Sequence, residues 1–197
     1  MRINNLEWRR QIFHLLLGVI LVVLLMFNFI DENFILVTTL IGLFISFIIR
    51  KKRIPIIWDI LKKFERKEEL YEFPGKGTIF YFLGVYVSLL LFPKDIALAS
   101  IMVLAFGDSV SHLFGLHFGK TKTVLSSTKL LEGTIAGFIA GFLGALIFVS
   151  PLEAFFASLI AMIAEAIEIK IKTERIDDNL IIPFIAGSAI WVIRYFI

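Results

Sequence analysis

The chain contains no cysteine, so neither a disulfide framework nor a cysteine-ligated zinc site is open to it. It has no Gly/Ser/Pro-rich linker, no low-complexity tract and no internal repeat. Charge is scarce as well: 19% of the residues are charged and 58% are hydrophobic, with apolar runs along the whole length. A soluble composition is thereby excluded, and residues 1–197 read as a single membrane domain.

A membrane-spanning helix needs about 20 mostly apolar residues. Seven runs qualify as candidates, several of them short: Ile12–Ile30, Phe34–Ile49, Gly77–Phe92, Ile96–Phe118, Leu131–Val149, Leu152–Ile167 and Leu180–Ile197. The predicted fold class is therefore all-α, a polytopic membrane protein of about seven spans. The first run follows Arg9 and Arg10 as a signal peptide would, but lacks a small-residue cleavage site, so it is expected to be retained.

Basic residues set the orientation. Alternate connections receive Arg2, Arg9 and Arg10, then nine residues between Arg50 and Lys76, then Lys120, Lys122 and Lys129, and finally Lys170, Lys172 and Arg175. The other side receives only Lys94, with Arg194 inside the last run. An asymmetry of eighteen to one predicts a cytoplasmic N-terminus and an outside C-terminus. The outside links, Asp31–Asn33, Pro93–Asp95 and Ser150–Pro151, are minimal. The connection at about 50–76 repeats Ile57, Leu61 and Phe64 at helical spacing, and reads either as an amphipathic helix on the membrane surface or as a solvated basic loop.

Carboxylates gather at the cytoplasmic ends. Asp108 lies past the midpoint of the fourth run, Glu132 opens the fifth, Glu165 and Glu168 close the sixth, and Asp177, Asp178 and Asn179 precede the seventh. Ionisable groups in apolar spans are costly and usually functional. Asp108, Ser111, His112, Gly115 and Gly119 share a helix face, which leaves open a structural Asp108–His112 pair. Gly133, Gly137, Gly141 and Gly144 form a second stripe, suited to close packing within one chain or between two chains of a homodimer. Clustered acids repel unless lysines or divalent cations compensate them, and magnesium, with its preference for a few carboxylates plus phosphate, suits them. His112 and His117, five apart, do not share a face and read as hydrogen-bonding groups.

The segment Gly119–Lys129, "GKTKTVLSSTK", offers Lys120, Lys122 and Lys129, five hydroxyls and the amides that open the next helix, an anion site in composition. "GLHFGKT", Gly115–Thr121, imitates a P-loop but has three residues between its glycines rather than four, and it follows a helix rather than a strand. Acids for magnesium beside lysines for phosphate are the components of phosphoryl or nucleotidyl transfer.

The ordered pieces "EWRRQIFH" (7–14), "GDSVSHLFGLHFGK" (107–120), "KLLEGTIAG" (129–137), "AEAIE" (164–168) and "DDNLIIP" (177–183) resemble the CTP-dependent lipid-alcohol kinases. That group comprises dolichol or polyprenol, phytol and farnesol kinases and the yeast-type diacylglycerol kinase, relatives of the phosphatidate cytidylyltransferases. The resemblance implies CTP as phosphate donor and Mg²⁺ as metal. It implies Asp108, Glu165 and Asp178 at the chemistry and Asp108, Glu132 and Asp178 on the metal. Lys120, Lys122, Lys129, Glu132, Gly133, Asn179 and His14 are then expected at the nucleotide. Lys76, in a turn like the family's, is expected to meet a phosphate. The family often has a hydroxyl after the lysine; here Leu130 stands there, and Ser126, Ser127 or Thr128 is left to replace it.

The expected function is a CTP-dependent kinase acting on the hydroxyl of a long isoprenoid alcohol at the cytoplasmic face. Its partners would be CTP, the lipid and the membrane, with no nucleic acid. Three alternatives stay open: synthesis of a CDP-lipid with release of pyrophosphate, a diacylglycerol kinase, and an ion-coupled transporter using Asp108 and Glu165 as a relay. The nearly uncharged outer halves argue against the transporter.

Overall fold

The computed structural model describes residues 5–123, 126, 128–167, 170–171 and 174–196; Ser127, Glu168 and Lys172 lie outside the described residues. Among those described are ten α-helices: α1 (Asn5–Met26), α2 (Glu32–Lys51), α3 (Pro55–Phe64), α4 (Lys67–Glu72), α5 (Lys76–Leu91), α6 (Lys94–Met102), α7 (Ser109–Phe118), α8 (Leu131–Ala145), α9 (Pro151–Ile167) and α10 (Asp178–Phe196). A π-helical turn, Val103–Asp108, joins α6 to α7 without a break. Two short strands, β1 (Lys170–Ile171) and β2 (Glu174–Arg175), pair antiparallel between α9 and α10. The class is all-α.

Each of the seven apolar runs is a helix. Four are long and apolar enough to cross a membrane: Asn5–Met26, Glu32–Lys51, the continuous Lys94–Phe118 and Asp178–Phe196. The others, α5, α8 and α9, have 16, 15 and 17 residues. The fifth run stops at Ala145 rather than Val149, because the chain must reverse into α9. There Ser150 and Glu153 cap one another, the Ser150 amide donating to Glu153 Oε2 at 2.8 Å and the Glu153 amide to Ser150 Oγ at 3.4 Å.

The α6–π–α7 rod forms the centre, with Ile96, Ile101, Val103 and Leu104 fully buried. Against it lies α8, whose glycine stripe removes the side chains that would hold the backbones apart. A Cβ on Gly137 would stand 2.7 Å from the Gly107 carbonyl oxygen. The small-residue stripe thus serves packing within this chain. Phe44 and Phe47 on α2 and Ile139 and Leu143 on α8 face outward, an apolar belt suited to lipid.

Alternation of the helices gives the bundle two dissimilar ends. At one, Lys94 donates to Asn28 at 2.6 Å, and Arg194 bridges Glu153 and Asp95, both at 2.6 Å. Arg194 thus pairs with both acids there. The other end carries the basic connections. There the 50–76 segment forms two short helices rather than one, since Pro55 starts α3 and Glu65–Arg66 interrupts the run. Its stripe turns inward: Ile57 packs with Trp58, Ile49 and Leu70, and Phe64 meets Phe13 of α1 with ring centroids 5.2 Å apart. Ile56 and Ile60 remain exposed.

Candidate active site

At the basic end, α1, α3, α5, α7 and the loops before α8 and α10 enclose a cavity of about 530 Å³. Helical spacing explains the contribution of α1: Arg10, Gln11, His14 and Leu17 succeed one another along one face. Phe13, Leu17, Leu61 and Phe64 make an apolar wall; Lys76, Asp108, Lys129, Asp177, Asp178 and Asn179 make a polar one.

Behind the polar wall, Asp108, Glu165 and Asp178 bring carboxylate oxygens within 4.8 Å of one another. They come from the π turn, the end of α9 and the start of α10, and Glu165 is only 1% exposed. Lys129 hydrogen-bonds Glu165 and lies 3.7 Å from Asp178. Burial pushes the Lys129 ammonium down, but Glu165, Asp178 and Asp108 outweigh it and hold the pKa above its ordinary value. Burial also raises the carboxyl of Asp177.

Lys129 is aimed inward by the loop that carries it. The loop closes as a small hairpin: Lys122 bridges Leu130, the Thr123 amide donates to the Lys129 carbonyl at 3.0 Å, and the Leu131 amide to Thr121 at 2.9 Å. Lys120 and Lys122 are exposed and do not line the cavity. Glu132 accepts from the Thr121 amide at 3.1 Å and 3.2 Å, which ties the hairpin's base and keeps it out of the acid trio. Gly133 is buried against α7, where a Cβ would approach the Ser111 carbonyl oxygen to 2.5 Å. Ser126 Oγ accepts from the Thr128 amide at 3.1 Å within the loop, while Thr128 lines the cavity.

His112 does not pair with Asp108. Its Nε2 lies 3.1 Å from Glu7 Oε2, and Glu7 also accepts from Arg66 Nε at 2.8 Å. Arg10 lies 3.5 Å from Glu7 and 3.4 Å from Glu69, so α1 is tied to α4 and α7 by charge. The partner at Asp108 is His14, with Nε2 3.7 Å from Oδ2. The His14 ring meets Tyr81 edge-on at 4.5 Å. Asn179 donates to the Gly77 carbonyl at 3.3 Å, and α10 comes this close to α5 because Gly84 carries no Cβ against the Asn179 carbonyl.

The site therefore unites Asp108, Glu165, Asp178, Lys129, Asn179, His14 and Lys76. Lys120, Lys122, Glu132 and Gly133 stand elsewhere. Sequence reasoning passed over Gln11, Glu65 and Tyr81. Tyr81 in "GTIFYFLG" reads as a core aromatic, and only its contact with His14 marks it out.

No family model and no solved structure matches the chain. An uncharacterised protein of Methanocaldococcus jannaschii is 33% identical over 186 residues, 93% of this chain and 92% of that protein. The CTP-dependent diacylglycerol kinase 1 of Schizosaccharomyces pombe is 25% identical over 134 residues, which cover 59% of this chain and 60% of the yeast protein. Phytol kinase 1, chloroplastic, of Arabidopsis thaliana is 29% identical over 132 residues, 60% of this chain and 42% of the plant protein. By these relationships the chain is similar to CTP-dependent lipid kinases.

Proposed function

We propose that the protein is a CTP-dependent kinase that phosphorylates the terminal hydroxyl of a membrane isoprenoid alcohol, of the dolichol or polyprenol type, at the cytoplasmic face of a multi-pass membrane domain. The observation that carries this reading is the juxtaposition, around one cavity, of an acid trio at its polar wall, two lysines and an apolar wall. Phosphoryl transfer needs positioning and charge neutralisation above all. The relatives' names support CTP as donor, and the phytol kinase supports an isoprenoid acceptor. The eighteen basic residues allotted to the cavity's side support a cytoplasmic site.

The donor set suits a magnesium ion. Three carboxylates less the Lys129 ammonium leave two negative charges within a few ångströms. Asp108, Glu165 and Asp178 would hold the ion, with Glu165 in the place the sequence reading had given to Glu132. Bound there, Mg²⁺ supplies charge neutralisation to the triphosphate. Lys129 and Lys76 draw the phosphates to the polar wall, and the wall of Phe13, Leu17 and Phe64 takes the first carbons of the lipid. Asp108 receives the alcohol's proton as its oxygen bonds the γ-phosphorus. The bridging bond to the β-phosphate breaks and its electron pair leaves with CDP.

The test is incubation of the purified protein in detergent with radiolabelled CTP and dolichol, phytol, geranylgeraniol or diacylglycerol, with and without Mg²⁺. CDP and a phosphorylated isoprenoid alcohol are expected. Pyrophosphate as product would replace the kinase with CDP-lipid synthesis, and phosphorylation of diacylglycerol alone would move the acceptor out of the isoprenoid class.

A further inference from the structure

Among the buried polar atoms of the cavity's lining residues that have no hydrogen-bond partner are His14 Nε2 and Tyr81 Oη. A buried polar atom left unmatched costs about 1–3 kcal/mol, and His14 Nε2, facing Asp108, calls for an explanation. Tyr81 is 1% exposed, and its hydroxyl packs against the backbone of Gly18, one turn of α1 deeper than His14. Its ring braces the His14 imidazole edge-on, so the imidazole is fixed toward Asp108. At 3.7 Å, His14 Nε2 and Asp108 Oδ2 are too far apart for a direct hydrogen bond. They are close enough for one oxygen atom to contact both.

We propose that His14, positioned by Tyr81, binds the hydroxyl of the acceptor alcohol against Asp108 and so sets the acceptor side of the site rather than the nucleotide side. A hydroxyl has one donor and two acceptor lone pairs. It gives its hydrogen to Asp108 Oδ2 and accepts the N–H of His14 on a lone pair, which leaves the remaining lone pair for the γ-phosphorus. The neighbours agree with this polarity: Leu17 and Phe13, on either side of His14 along α1, line the apolar wall. The phosphate-facing Lys76 lies five residues before Tyr81, more than one helical turn away toward the basic end. The inference rests on the kinase reading above and adds to it which residues face the lipid.

The experiment separates the two substrates. Wild type, His14→Ala, His14→Gln and Tyr81→Phe are assayed with CTP and alcohol varied independently. CTP binding is measured by calorimetry. His14→Ala is expected to lose alcohol phosphorylation at least about tenfold, equivalent to about 1.4 kcal/mol, while CTP affinity stays near wild type. His14→Gln, which keeps an N–H at similar reach, is expected to recover part of the rate and carries the test if the alanine variant does not fold. Tyr81→Phe is expected to retain most activity, because the ring and not the hydroxyl braces His14. Loss of CTP binding with His14→Ala or with His14→Gln, or unchanged alcohol kinetics, would overturn the assignment. A wild-type protein that phosphorylates no alcohol sinks the kinase reading instead.

Discussion

The ammonium of Lys129 hydrogen-bonds the buried carboxylate of Glu165, joining the loop before α8 to the end of α9. Removing the cation breaks a buried ion pair, a change that typically destabilises by about 3–5 kcal/mol. Lys129→Met is therefore expected to lower the melting temperature and abolish turnover. The double variant Lys129→Met/Glu165→Gln should regain most of the stability and none of the activity. Thermal unfolding in detergent beside a CTP assay checks both halves.

The lysines around the site are expected to behave differently. Lys76 and Lys129 line the cavity, whereas Lys120 and Lys122 stand exposed outside it. Lys76→Ala should raise the KM for CTP about tenfold or more, the effect of a lost contact of about 1.4 kcal/mol. Lys120→Ala and Lys122→Ala should leave it within about twofold, as expected for exposed charges worth under about 1 kcal/mol. Equal effects from all three would mean that the hairpin folds inward around the nucleotide.

Burial holds the carboxyl of Glu65, at the end of α3, above the usual range, and its Oε2 has no hydrogen-bond partner. The fold then binds that proton more tightly than the unfolded chain does. The resulting stabilisation is full below the ordinary value of 4.5 and is lost as pH rises through the folded pKa. Glu65→Gln mimics the protonated form. It should raise the melting temperature at neutral pH by about 2–4 °C, the shift for roughly 1 kcal/mol in a chain of this size. The gain should vanish in a pH series carried below 4.5.

Gly133 was expected at the nucleotide and lies instead where α8 crosses α7. An added methyl group meets backbone, which has no flexible end to give way. Gly133→Ala should destabilise by about 1–3 kcal/mol through overpacking, with the CTP affinity of the folded fraction unchanged. A calorimetric titration of CTP, beside a melting curve, distinguishes this from a ligand contact.

The helices and the polarity of the ends were legible because both depend on composition along the chain: length of apolar run and position of Lys and Arg. The gathering of Asp108, Lys129, Asp178 and Asn179 was legible from their common depth. Which neighbour each meets was not. Spacing pairs Asp108 with His112, but Glu7, Arg10 and Arg66 form a separate charged cluster that takes His112 away and leaves His14 to Asp108. Glu132 and Glu165 lie at similar depths, and only the hairpin bridge of Lys122 with Leu130 decides that Lys129 meets the second. Such choices depend on rotation about helix axes and on loop closure, neither of which leaves a periodic trace.

The π-helical turn before Asp108 holds an accommodated extra residue, and π turns of this kind recur at functional sites. Upstream of it, the rod is keyed to the core through Ile96 and Ile101; downstream, it is keyed to the cavity through Asp108 and His112. The wide turn lets these two halves keep independent phases on one continuous helix. Shortening it by one residue would wind every upstream contact about 100° out of step with the acid, so the chemistry and the core are coupled through a single residue of length.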